Sequence, residues 1–499
     1  MQKLYRTAEL RILEKQAREG LPPGTLMQRA GAAAAAAIDA RWRALQPGAV
    51  QRSNGGPAAV LVLCGPGDNG GDGFRCASAL QDLGHACVCW APLAGASADA
   101  QAARRRWDEQ GPTVAHLPVE QRFDLVVDAL FGIGAVRALD GQFLAALRWS
   151  AARGIPVVAL DLPSGLDADT GTWVGGIAGA YSVLTVSFLG DKPGLHMREG
   201  AAAVGQLLVD GLGVAATLRD ALAPAGTLND PDGFAALLAR RPPDVNKGSF
   251  GAVTVAGGSA GMVGAVLLAG RAALRLGAGK VYVDCLGAPQ LPVDPLQPEL
   301  MLQPGRDVPP GDVLVAGCGM GSAPAALDRL ALWLEHDGPA LFDADALNAL
   351  ARDGTLRARL AARTRTTVLT PHPGEAARLL GLATAQVQAD RVAHALRLAR
   401  ELQAIVVLKG AGSVIATPAG GYTVNPTGGP ALASAGTGDV LAGMIGALLA
   451  QCADPLAAVR AAVWLHGRAA ELHGSDVGLV ASEVAGLAAR AWEMLRAGS

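Results

Sequence analysis

Two short glycine-rich segments carry acidic residues where a phosphorylated ligand could sit. GPGDNGGDG at 65–73 follows the apolar run Ala58–Cys64, and AGTGDVLAG at 435–443 opens an apolar helical stretch near the end of the chain. Each places backbone N–H groups and a carboxylate ahead of a helix, an arrangement that receives anions. In the first segment Gly65, Gly67, Gly70, Gly71 and Gly73 permit φ > 0 and leave no side chain between backbone and ligand. Asn69 offers an amide oxygen suited to a hard monovalent cation or a ribose, and Asp72 a hydrogen-bond acceptor. Two later segments point to the same crevice. VVDALFGIGAVRAL at 126–139 ends a strand at Asp128 and continues into a loop over Gly132–Ala138. ALDLPSGLDADTG at 159–171 ends a strand at Asp161 and puts Ser164 in the following turn. Parallel strands that end this way converge on one ligand crevice. Burial under a ligand would raise the pKa of Asp161 and suit it to carry a proton. The plainer alternative is that it caps a helix.

The second segment has a sharper chemistry. Gly436, Thr437 and Gly438 bring N–H groups and a helix dipole to one point, with Asp439 in the same turn. Such a pocket suits the charge on a transferring phosphoryl group, with Asp439 as base on the acceptor hydroxyl. A donor set of this kind contributes roughly 10²–10³ in rate. The alternative is that Asp439 only complements the helix N-terminus. VVLKGAGSVIATP at 406–418 predicts two strands around a turn, in which Lys409, Gly410, Ala411, Gly412 and Ser413 hold an adenine nucleotide. His372 lies between two prolines at a strand-to-helix junction, a place for ligand contact rather than core packing. Asp343 suits either Mg²⁺ through water or helix capping, and Lys247 is a further cation for phosphate.

These residues need two scaffolds. In the first half, short Val- and Leu-rich runs alternate with Ala-rich helical stretches: Ala59–Cys64, Ala86–Ala91, Asp124–Phe131, Pro156–Leu162, Ser182–Phe188 and Gln206–Val209. Continuous apolar strands of this kind are covered on both faces. A helix is expected over Phe74–Leu83. Arg219–Asp244 reads as a Pro- and Gly-containing connector with one short helix at Phe234–Leu238, and the domain boundary is expected between about 213 and 243. Strands resume at Ala252–Ala256, Lys280–Cys285, Val313–Ala316, Ala340–Asp343, Thr367–Thr370 and Ile405–Lys409, then pair at Ser413–Thr417 and Gly421–Asn425. The fold class is α/β. Residues 1–215 are expected to form a Rossmann-like three-layer sandwich, and residues 225–499 a second α/β domain.

Composition agrees. A chain of 499 residues exceeds one core, and a net charge of −2 offers no basic excess for nucleic acid. The charged amphipathic N-terminus is not a secretory signal, and no long uncharged apolar stretch suggests a membrane span. Seven cysteines without metal-ligand spacing point to a reduced, cytoplasmic setting.

GDNGGDG, VDALFGIG and DLPSGLDADTG, together with TLMQRAG at 25–31, resemble the NAD(P)H-hydrate epimerase family over about residues 5–210. The resemblance implies interconversion of the R and S hydrates of NADH or NADPH. It places substrate on Asp68, Asn69, Gly70, Gly71 and Asp72, and on Gly132, Ile133, Gly134, Ala135, Val136, Arg137 and Ala138. A bound K⁺ falls on Asn69, Asp128 and Ser164, and the proton shuttle on Asp161; Lys192 is a further candidate for phosphate contact. Asp68 and Gln28 depart from the family's usual Asn and Glu, and Asp68 adds negative charge near a phosphate-bearing ligand.

TPHPGE, KGAGS, NPTG and GTGDVLAG resemble the ribokinase-like NAD(P)H-hydrate dehydratase family, over about residues 228–495. That implies a ribokinase-like C-terminal domain that phosphorylates the hydrate's hydroxyl from ADP or ATP, with Mg²⁺, before phosphate leaves. Substrate contacts fall on Ala265, Gly321, His372 and Asp439, and nucleotide contacts on Lys409–Ser413 and Gly438, with Asp439 as base. Ser413 stands where the family often has Thr, and Gly429-Pro430 where Asn-Pro is common. The expected whole is a bifunctional metabolite-repair enzyme that forms a homo-oligomer, tetramer or larger. Its alternatives are a vitamin or sugar kinase fused to a nucleotide-binding domain, and a nucleotide-binding scaffold without turnover.

Overall fold

The computed structural model describes residues 1–45, 56–134, 137–222, 225–287 and 291–498. The chain divides into two compact units, Lys3–Ala225, and Gly226–Ser499 with Met1–Gln2.

In the first unit a parallel sheet runs in the order Thr113–Val114, Ala86–Trp90, Ala59–Cys64, Leu125–Ala129, Val157–Leu160, Leu184–Phe188 and Gln206–Asp210. Strand order reverses at Ala59–Cys64, where the chain steps outward to one side and then crosses to the other. Ala59–Cys64, Leu125–Ala129 and Val157–Leu160 are almost wholly buried, Asp128 included, as strands covered on both faces are. Their C-terminal ends therefore open onto the crevice.

The glycine-rich segment differs from its expected form. Asp68–Asp82 is one helix, so the segment is the helix's opening turns rather than a loop before a helix at Phe74. None of the five glycines takes a positive φ. Gly65, Gly70, Gly71 and Gly73 instead allow close approach. A Cβ on Gly70 would lie 1.9 Å from the Gly65 carbonyl oxygen, and one on Gly73 would lie 2.6 Å from the Ala129 side chain. Tight seating on the sheet outweighs the ~1 kcal/mol helix cost of each glycine.

The strand ends are also shorter than expected. Leu125–Ala129 stops before Phe131, and Val157–Leu160 stops before Asp161. Asp161 then adopts φ 67°, a left-handed conformation rare for a residue with a side chain. The chain turns out of the sheet there.

In the second unit the strand order is Gly226–Leu228, Tyr422–Asn425, Ser413–Ala416, Ile405–Leu408, Thr367–Leu369, Ala340–Phe342, Val313–Ala316, Ala252–Gly257, Lys280–Cys285 and Met301–Leu302. Ser413–Ala416 runs antiparallel to both neighbours, as the Lys409–Ser413 turn dictates, and the other pairings are parallel. The expected connector holds structure: a helix at Ala216–Ala221, a strand at Gly226–Leu228 and a 3₁₀ segment at Pro231–Leu238.

The helix Thr437–Gln451 is buried along nearly its whole length. It packs on Val263–Arg275 because its glycines are small: a Cβ on Gly443 would lie 2.0 Å from the Ala269 carbonyl oxygen. Gly436 precedes it at φ 87°, the turn that aims the helix start at the strand ends.

Candidate active sites

The first unit encloses a cavity of about 610 Å³ at the C-terminal ends of its strands. Asp68, Asn69, Asp72, Gly132, Ile133, Gly134, Arg137, Ala138 and Asp161 all line it. Gly70 and Gly71 pack behind the wall; Ala135 and Val136 lie outside the described residues. Gly132 holds the centre: a Cβ there would lie 2.8 Å from Asp161 Oδ2 and 3.6 Å from the Asn69 side chain.

Three groups donate to Asp161. The Ile133 N–H reaches Oδ2 at 3.1 Å, the Phe188 N–H reaches Oδ1 at 3.5 Å, and Lys192 Nζ lies 2.8 Å from Oδ1. Lys192 is fully buried, lines the cavity and pairs with Asp161. Burial pushes the Asp72 carboxyl well up, and the charges of Asp161 and Asp68 add to the effect. Beneath the cavity Asp128 is buried and accepts from Ser164 Oγ at 2.6 Å and Ser164 N at 2.9 Å. Burial still leaves the Asp128 carboxyl raised. Among the described residues neither polar atom of the buried Asn69 amide has a hydrogen-bond partner. Asp68 is tied down by Arg18 Nη2 at 3.2 Å and by the Ser97 hydroxyl. Arg18 and its helix, Thr7–Glu19, reach the cavity from far away in sequence, which no local motif announced.

In the second unit Lys409, Asp343, Gly438 and Asp439 meet around the start of Thr437–Gln451. Burial, then the charge of Asp343, pushes the Asp439 carboxyl up to about 6. Lys409 Nζ lies 2.9 Å from Asp343 Oδ1, and a Cβ on Gly438 would lie 3.3 Å from that ammonium. Asp343 therefore pairs with Lys409 and does not cap the next helix, Asp345–Arg352, which has no side-chain cap. His372 caps Pro373–Leu380: its Nδ1 accepts from the Gly374 N–H at 3.0 Å, while half of the side chain stays exposed. Gly321, at φ 75°, donates its N–H to Asp345 Oδ2 at 2.8 Å. Gly319 links this loop to Ala265: a Cβ on it would lie 3.0 Å from the Ala265 methyl. The turn after Lys409 is closed by the Ser413 hydroxyl, which donates to the Gly410 carbonyl at 3.0 Å. Lys247 sits exposed on a 3₁₀ turn, with no contact to this cluster.

Two neighbours escaped the motif reading. Cys318, in GCGMGS after the strand Val313–Ala316, brings its thiol within 4.8 Å of carboxylate oxygens of Asp343 and Asp439. Burial pushes the Glu375 carboxyl up to about 7, with Lys409 opposing. The same strand-then-glycine logic applied to 313–319 would have found Cys318.

Comparison with known proteins now bears on the two sites. The family model described as YjeF-related protein N-terminus matches residues 23–194, and the one described as NAD(P)H-hydrate dehydratase matches residues 253–488. A bifunctional NAD(P)H-hydrate repair enzyme from Coxiella burnetii is 36% identical, with 96% of this chain and 97% of that one aligned. The chain belongs to the bifunctional NAD(P)H-hydrate repair enzyme family. The Escherichia coli relative of the same description is 35% identical over 84% of this chain and 81% of its own. An ADP-dependent (S)-NAD(P)H-hydrate dehydratase from Neisseria meningitidis is 43% identical, covering 53% of this chain and 90% of its own. Among solved structures, the ADP/ATP-dependent NAD(P)H-hydrate dehydratase from Bacillus subtilis aligns with 54% of this chain and 98% of its own, at 33% identity and a TM-score of 0.47. As in the family's description, one chain here carries two sites, one on each unit.

Proposed function

We propose that this chain interconverts the R and S hydrates of NADH or NADPH at the first site and returns the S form to NAD(P)H at the second, consuming ADP or ATP. The observation that carries the second activity is Asp439. It is a carboxylate in the first turn of a buried helix, and burial lifts it to about 6. At neutral pH it is mostly ionised and basic enough to take the hydrate's hydroxyl proton. The hydroxyl oxygen attacks the terminal phosphorus of the nucleotide, whose bridging P–O bond breaks. Phosphate is then lost from the hydrated carbon together with a proton from its neighbour, restoring the ring's double bond. Hydroxide leaves poorly and phosphate leaves well, which gives the nucleotide its purpose. Main-chain N–H groups at Thr437 and Gly438 face the developing charge, and Gly410–Ser413 supplies backbone for the nucleotide. His372, Ala265 and Gly321 border the hydrate.

At the first site Asp161 carries a proton to and from the hydrate around a ring-opened or iminium-like intermediate. Asn69, Asp128 and Ser164 suit K⁺: the Asn69 amide is buried without a hydrogen-bond partner among the described residues, and the buried Asp128 has a raised carboxyl that a cation would relieve. Bound there, K⁺ would supply fixed positive charge near the ligand's phosphates. Asp343 and Asp439 suit Mg²⁺, with the Cys318 thiol beside them; bound there, Mg²⁺ would neutralise nucleotide phosphate charge. A homo-oligomer, tetramer or larger, in the cytoplasm completes the reading. Among the described residues no helix is long and apolar enough to cross a membrane.

Product analysis tests this against a kinase. Purified protein with S hydrate and ADP is expected to release AMP, inorganic phosphate and NAD(P)H in equal amounts. A phosphorylated product that accumulates would favour the kinase.

A further inference from the structure

The least ordinary group in the first unit is Lys192. Its side chain is completely buried, yet it carries an ammonium. Long cationic side chains seldom sit so deep without a partner. Four acceptors surround Nζ: Ser187 Oγ at 2.6 Å, Asp161 Oδ1 at 2.8 Å, the Phe188 carbonyl at 3.2 Å and the Gly190 carbonyl at 3.3 Å. Three of the four are neutral. Among these four acceptors Asp161 is the charged one; the adjacent Asp191 carboxylate meets His196 Nε2 at 2.7 Å.

The geometry at Asp161 matches. The residue stands at φ 67°, a conformation disfavoured unless its surroundings impose it. Lys192 and the Phe188 N–H hold Oδ1, so the carboxylate cannot swing. Its other oxygen, Oδ2, is left at the cavity wall, where it accepts from the Ile133 N–H at 3.1 Å. Lys192 borders the cavity, yet its ammonium is engaged by acceptors of the protein itself.

We propose that Lys192 is the positioning residue of the epimerase site: it anchors Asp161 through Oδ1 and aims Oδ2 at the hydrated ring. The inference rests on Asp161 being the proton carrier.

The full-length chain tests it, because its second site supplies an internal control. Lys192→Met and Asp161→Asn are assayed for R-to-S conversion, for S-hydrate repair with ADP, and for thermal melting. The expected result for Lys192→Met is a fall of about 100-fold in epimerisation kcat, as for a misplaced catalytic group. KM is expected to stay within about threefold, with S-hydrate repair unchanged. If Lys192→Met does not fold, Lys192→Ala with added ethylammonium replaces it, and restored turnover is the expected outcome. A folded Lys192→Met with unchanged kcat, or with a rise in KM alone, overturns the proposal; the latter would return Lys192 to phosphate binding. Loss of the proton-carrier reading itself shows differently, as an Asp161→Asn variant with normal epimerisation.

Discussion

Lys409 and Asp343 form an ion pair at 2.9 Å across the strand ends of the second unit, with the aspartate almost fully buried. Burial works to lower the Lys409 pKa, but Asp343 and Glu375 outweigh it and hold the ammonium above its ordinary value. Removing one partner strands the other. Asp343→Asn is expected to cost about 3 kcal/mol by urea denaturation, the lower end for a buried pair. It should also cut S-hydrate repair, since Lys409 would no longer be held beside Gly438. A variant with unchanged stability and turnover would show the pair to be incidental.

The dehydratase step has a predicted pH dependence. Asp439 must be ionised to take a proton, and its carboxyl is raised to about 6. The rate should therefore hold steady above neutrality and fall about tenfold per unit once pH drops below about 6. Glu375, raised to about 7, titrates nearby. Glu375→Gln separates the two, and the acid limb should survive in that variant. A flat profile from pH 5 to 7 with saturating nucleotide would remove Asp439 from the base role.

Close packing makes a third prediction. Gly70→Ala puts a methyl 1.9 Å from a backbone oxygen and should destabilise the first unit by about 3 kcal/mol. Gly67→Ala meets nothing within 4 Å and should cost less than about 1 kcal/mol. Equal costs at the two positions would mean that the segment is held loosely.

Much of this was legible in sequence. The apolar runs marked the central strands of both sheets, because strands covered on both faces must be apolar throughout. DLPSG marked Asp161 at the end of a strand and GTGD marked Asp439 at the start of a helix, the two places where α/β folds present polar groups to ligands. What stayed hidden depends on distance in the chain. The Lys192–Asp161 pair joins residues separated by a strand, and Lys192 read from its own segment looked like a phosphate ligand. Arg18 meets Asp68 from another helix. The glycines of 65–73 misled for a related reason: their composition signals a loop, but their function is to let a helix touch the sheet.

That contact with Arg18 also bears on Asp68, whose carboxylate adds negative charge near the expected phosphates. Arg18 and Ser97 already engage it. Asp68→Asn is expected to change the KM for hydrate by less than about threefold. A tenfold gain in affinity would mean that the arginine leaves the charge unbalanced.

The central claim is that two carboxylates, one on each unit, divide the work. Purified chain is incubated with mixed R and S hydrates and ADP, and ultraviolet absorbance follows the return of reduced cofactor. The intact chain should convert both epimers, Asp161→Asn only the S fraction beyond slow spontaneous epimerisation, and Asp439→Asn neither. Complete conversion by either variant would contradict the account.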